Sequence, residues 1–239
     1  MDDPTALAIA DFSPRSGDAR AALLWPPTRL DVARLVAGLR AASGRARPRV
    51  LEAGAGSGLL ARLLAEACDV DAVDPGDAGF ASRRVGRFFP VRSARVEDVA
   101  APYDAVVVSW MEAGVDCRAG VKRLAPVIAQ AFDLGGGCGV KGATSYARFG
   151  FVDAAAWTGP SFETVDRALR ERGRGLPPPP PMNAIEIVVR DIALAPRVAE
   201  AVRAAKPRGA PYAWEPALEA LRLGPGPVLA SAPVERVRN

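Results

Sequence analysis

The chain has 239 residues, enough for one large domain or one domain plus a small appendage, and 49% of them are hydrophobic, enough for a sizeable core. It has no histidine, no CxxC pair, and three scattered cysteines, Cys68, Cys117 and Cys138, which argues against a metal site, a disulfide framework and a Cys/His nucleophile. Its 31 basic and 27 acidic residues give a mild positive balance, which admits RNA as a partner without indicating it.

Residues 1–27 are of mixed character and end in Trp25-Pro26-Pro27. Their acidic start lacks the basic and apolar regions of a leader, and no apolar run in the chain reaches membrane-span length. The expectation is a cytoplasmic protein with no membrane partner. A helix should follow, with Thr28 as N-cap, Asp31 three residues on, Leu30, Leu35, Val36 and Leu39 on one face, and Gly44 as the stop. ARPRVLEAG then gives a short strand. LLARLLAEA gives a helix with Leu59, Leu60, Leu63 and Leu64 on one face, and VDAVDP (70–75) gives a second strand.

Further strands are expected at Phe89–Ser93, in YDAVVVSWME (103–112) and in PVIAQAFD (126–133), with a helix at 116–124. GGGCGVKG (135–142) reads as a loop and ARFGFVDAAAW (147–157) as a strand. Ser161 can cap a helix carrying Phe162, Val165 and Leu169. Five consecutive prolines in GRGLPPPPPMN require a loop. IEIVVRDI (185–192), with Glu186 and Arg190 inside it, suits an edge or antiparallel strand. Continuous apolar strands alternating with amphipathic helices predict an α/β fold: a doubly wound, mostly parallel sheet covered on both faces. We place one domain at 1–192 and a helical, proline-rich extension, packed on it, at 193–239.

The chemistry concentrates in RVLEAGAGSGLLARLLAE (49–66). Gly54, Gly56 and Gly58 stand between a strand and a helix, where a tight turn needs positive φ and no side chain in a ligand's way. Free N–H groups and the helix dipole there favour a negative group. Asp74, 20 residues after Gly54, falls at the end of the next strand, where its two oxygens can accept from both hydroxyls of a ribose. A dinucleotide turn wants GxGxxG, but Leu59 stands at its third glycine position.

LEAGAGSG, an acidic residue followed by GxGxG, resembles the first motif of the class I S-adenosylmethionine-dependent methyltransferases. The resemblance spans about residues 28–192. It implies a seven-stranded Rossmann-like sheet, S-adenosylmethionine as cofactor, and cofactor-binding roles for Glu52, Gly54, Gly56, Gly58 and Asp74. It also implies an acid near the adenine after strand three, where Asp98 is carried over, although Arg95 occupies the place where an aspartate is common. The loop after strand four, SWMEAGVD (109–116), usually faces the transferred methyl. Trp110 and Glu112 are the candidates for substrate contact, with packing the alternative for Trp110. An NPPY-type signature is absent.

The implied reaction is in-line displacement onto an unidentified methyl acceptor, with no metal and no covalent intermediate. If a general base is used, Glu112 or Asp116 is nearest. Two alternatives stand beside this reading. One is a catalytically silent binding or scaffold module of the same fold. The other is a nicotinamide-dependent oxidoreductase, against which Leu59 and the missing Tyr/Lys or His constellation count.

Overall fold

A computed structural model describes residues 1–12, 23–76, 85–100, 102–111, 114–135, 145–174 and 177–229. Seven strands form one sheet: β1 (Arg49–Ala53), β2 (Asp69–Asp74), β3 (Arg92–Ser93), β4 (Ala105–Ser109), β5 (Val127–Asp133), β6 (Val152–Gly159) and β7 (Asn183–Val189). Their order is β3-β2-β1-β4-β5-β7-β6, and only β7 runs against its neighbours. From β1 the chain first winds outward to β2 and β3, then crosses to β4 on the other side. The reversal therefore lies between β1 and β4, and the carboxyl ends of these strands flank a natural crevice.

Side chains alternate along β1, so Val50 and Glu52 face one side of the sheet and Leu51 and Ala53 the other. On the Val50 side, Val107, Ala129 and Ile187 pack under helices α1 (Arg29–Ser43), α2 (Leu59–Leu64) and α5 (Ala195–Ala204). On the Leu51 side, Val106, Val108 and Ile128 pack under α3 (Arg118–Leu124) together with Tyr146 and Phe151. Two further helices among the described residues are α4 (Phe162–Glu171) and α6 (Glu215–Ala220).

Local signals account for the starts of α1 and α4. Thr28 and Asp31 form a reciprocal capping box on α1, and Gly44 ends that helix in the left-handed region at φ 71°. Ser161 Oγ accepts the Thr164 N–H at the start of α4. Asp31 also accepts from the Trp157 indole at 2.7 Å, tying α1 to β6. Gly38 lets α1 approach β7 and α5: a Cβ there would lie 2.3 Å from Ile187 Cδ1 and 3.1 Å from Val202 Cγ2.

Several boundaries differ from expectation. The segment 147–149 is a 3-10 turn stopped by Gly150 at φ 81°, so β6 begins only at Val152. β3 is only two residues long, and Phe88 upstream of it bonds to the glycine turn. β7 is antiparallel but interior, between β5 and β6, and its Glu186 meets the Gln130 amide across the strand pair. No helix among the described residues is long and apolar enough to cross a membrane.

Candidate active site

β1 ends in Glu52 and Ala53 and passes directly into the glycine turn. Gly54, Gly56 and Gly58 adopt φ of 72°, 49° and 74°, so each occupies the left-handed region that a side chain disfavours. The turn is anchored on β2: the Gly54 and Ala55 N–H groups both donate to the Val73 carbonyl, at 2.9 and 3.0 Å. The sequence thus brings the turn and the end of β2 into one site.

Asp74, at that end, is 4% exposed. Its Oδ2 accepts the Gly56 N–H at 2.9 Å and its Oδ1 accepts the Gly76 N–H at 2.7 Å. A carboxylate offers about four acceptor positions. These two bonds leave one on each oxygen, the number a vicinal diol would use.

Glu52 is fully buried, and neither carboxylate oxygen has a hydrogen-bond partner. Burial pushes its carboxyl up to about 8; the nearby Ala61 N–H opposes the rise and the Asp74 carboxylate adds to it. Without a cation beside it, Glu52 is therefore protonated at neutral pH.

The turn is less open than the sequence predicts. The Gly58 N–H is taken by the Ala55 carbonyl and the Leu59 N–H by Ser57 Oγ, so few donors are left for an anion. From outside, the Gly86 and Phe88 N–H groups donate to the Gly56 and Ser57 carbonyls. A Cβ on Gly58 would lie 3.0 Å from the Phe89 backbone oxygen, and one on Gly54 would lie 3.3 Å from Met111 Cε. Phe89 is main-chain packing. Met111 Cε is the end of a flexible side chain that can swing away.

The other predicted residues fall as follows. Asp98 is exposed in a 3-10 turn after β3, and its side chain makes no hydrogen bond among the described residues. Trp110 follows β4 with φ 49°, a conformation bulky residues rarely hold, and such strain clusters at functional sites. Its indole is packed, however: it donates to Asn183 Oδ1 at 2.7 Å and lies edge-on to Phe162. Glu112 lies outside the described residues. Asp116 is bound by Arg118, whose guanidinium hydrogen bonds hold its carboxyl down to about 2, making it a poor base at neutral pH. The Cys68 and Cys117 thiols are pushed up by burial to about 11 and about 12, which keeps them protonated. Cys138 lies outside the described residues.

Sequence reasoning missed Asn183 and Met111. Asn183 is fully buried at the start of β7, and its amide nitrogen has no partner. Asn183 sits in a proline-rich approach with no motif around it. Only the pairing of Asp133 with Asn183 brings it beside Trp110.

No family model and no curated protein matches the chain. Among solved structures it is similar to a protein of Thermoplasma acidophilum at 18% identity and TM-score 0.43, covering 69% of this chain and 95% of that one. It is similar to the N-methyltransferase NodS of Bradyrhizobium japonicum at 16% identity and TM-score 0.41, covering 67% and 96%. It is also similar to the plantazolicin methyltransferase BamL, solved in complex with a triazolic desmethylPZN analog and SAH, at 13% and 0.42, covering 68% and 85%. Likenesses this distant say nothing of what this chain binds. The sheet order and its one reversed strand define the architecture. The chain has a Rossmann-like, mostly parallel α/β fold. In that fold, Glu52, the glycine turn and Asp74 stand at the carboxyl ends of β1 and β2, beside the crevice where the strand order reverses.

Proposed function

We propose that the chain is an S-adenosylmethionine-dependent methyltransferase whose cofactor lies against the glycine turn. The observation that carries this is Asp74: it bonds to Gly56 of the turn and still has an acceptor position free on each oxygen. Two ribose hydroxyls would fill those positions. Glu52, buried and unpartnered, suits a cationic group placed at the turn, because a carboxylate there is stable only beside a positive charge. Gly54 gives main-chain approach once Met111 rotates off it.

The cofactor, when bound, supplies a methyl group already activated on a sulfonium. The protein's task is then to hold the acceptor in line with that methyl, and positioning of this kind lowers barriers by roughly 7–11 kcal/mol in favourable cases. A base is needed only for an acceptor that must lose a proton. Asp116, held by Arg118, does not serve that role. The region after β4, starting at the strained Trp110, borders the crevice and is where the acceptor is sought.

The second reading is a silent module of the same fold. It is favoured by the close packing of Phe89 and Met111 on the turn. Methyl transfer from radiolabelled S-adenosylmethionine to RNA, protein and metabolite pools separates the two. Labelled product that vanishes with Asp74→Ala supports the enzyme. Cofactor binding without labelled product supports the module.

A further inference from the structure

A cavity of about 560 Å³ lies between α1, the end of α2 and the 204–212 connection. Its size falls within the roughly 300–1,000 Å³ of small-molecule sites. α2 starts at the glycine turn, and the cavity meets only its far end, through Leu63 and the following Glu66 and Ala67. None of the turn residues lines it.

The apolar part of the lining comes from the buried Val32, Val36 and Leu63, with Ala201 and the exposed Ala204 beside them. Four cations surround it, Arg29, Arg40, Lys206 and Arg208, against one carboxylate, Glu66. That carboxylate is already met by Arg29 at 3.0 Å. Arg40 is held in place by the Ala46 and Ala67 carbonyls, which leave its charge uncompensated. Lys206 and Arg208 make no hydrogen bond or ion pair among the described residues.

One wall is rigid. The Tyr212 ring stacks on Trp214 with centroids 4.7 Å apart and carries the Arg29 guanidinium 4.0 Å above its own centroid. The Tyr212 hydroxyl is buried and has no hydrogen-bond partner.

We propose that this cavity is a ligand site separate from the glycine turn, and that it takes a small organic anion with an apolar body. An apolar lining needs a hydrocarbon surface to cover it. An uncompensated rim of cations selects a carboxylate or phosphate head over a neutral or cationic one. The site stands whether or not the glycine turn binds a cofactor.

Calorimetric titration with decanoate and with decyl phosphate, both below their micelle concentrations, tests the assignment. One or both should bind, while 1-decanol and decyltrimethylammonium should bind at least about tenfold more weakly. Whichever head group binds more tightly identifies the anion class. Lys206→Glu combined with Arg208→Glu, both at exposed positions, should weaken binding about tenfold. Ala204→Trp should fill the cavity and abolish binding. Saturating S-adenosylhomocysteine should leave the decanoate affinity within about twofold. No binding of either anion, equal binding of 1-decanol, indifference to both sets of substitutions, or competition by S-adenosylhomocysteine would each overturn the proposal.

Discussion

Replacing Glu52 with glutamine should remove a large part of the pH dependence of stability. In the folded chain the carboxyl is fully buried and protonates at about 8, whereas an unfolded glutamate protonates near 4.5. Below pH 4.5 both states hold the proton and the group is neutral in its effect. As pH rises from there, the unfolded chain ionises and the folded chain does not. Folding is therefore progressively penalised until pH passes the folded value near 8. At pH 7 the gap corresponds to about 3 kcal/mol, and between pH 5 and pH 8 the change attributable to Glu52 is about 4 kcal/mol.

Glutamine matches the neutral acid in shape but cannot ionise. Its amide also lacks partners at this site, so E52Q should lose about 1–3 kcal/mol at pH 5. The informative quantity is the slope. Glu186, pushed up by burial to about 7, adds a similar slope to both proteins and cancels in the comparison. Urea midpoints at pH 5 and pH 8 provide the assay, with m-values checked for constancy. Wild type should fall more steeply than E52Q by several kcal/mol. Parallel pH profiles would show that Glu52 is not a protonated, unpartnered carboxyl, and would refute the burial reasoning.

Further outcomes follow from single contacts. Gly58→Ala should destabilise by about 1–3 kcal/mol in denaturant melts, because φ is 74° and the added carbon meets the Phe89 backbone at 3.0 Å. Gly38→Ala should cost about 1–3 kcal/mol by forcing α1 away from Ile187 and α5, whereas a neutral result would show that the helix shifts freely. Asp31→Ala should cost about 3 kcal/mol, since it breaks the α1 capping box and leaves the buried Trp157 indole unpaired. Met111→Ala should bind S-adenosylhomocysteine at least as tightly as wild type by calorimetry. A loss beyond about tenfold would mean that Met111 holds the ligand rather than shielding Gly54.

Features encoded by neighbours in sequence were the legible ones. Thr28 and Asp31 announce α1 because an N-cap and its reciprocal acid lie three residues apart. The central strands are continuous apolar runs because both faces of the sheet are covered. The turn and Asp74 were legible because their chemistry is local, and the structure joins them through Gly56. What escaped depends on distant partners. Glu186 suits an edge or an antiparallel strand, and only Gln130 standing opposite it shows that the strand is antiparallel and interior. Trp110 looks like a substrate contact until Asn183, 73 positions away, takes its indole N–H. The covering of the turn by Phe88 and Phe89 follows from main-chain bonds that no side-chain pattern encodes.

The central claim is that an adenosyl ligand settles between the glycine turn and Asp74. Calorimetric titration of the whole chain with S-adenosylhomocysteine, and in parallel with NAD, tests it most directly. The expected result is one S-adenosylhomocysteine site per chain, weakened by about 1.5–3 kcal/mol in Asp74→Ala, and no heat of binding from NAD. Full affinity retained in Asp74→Ala, or NAD bound in place of S-adenosylhomocysteine, would contradict it.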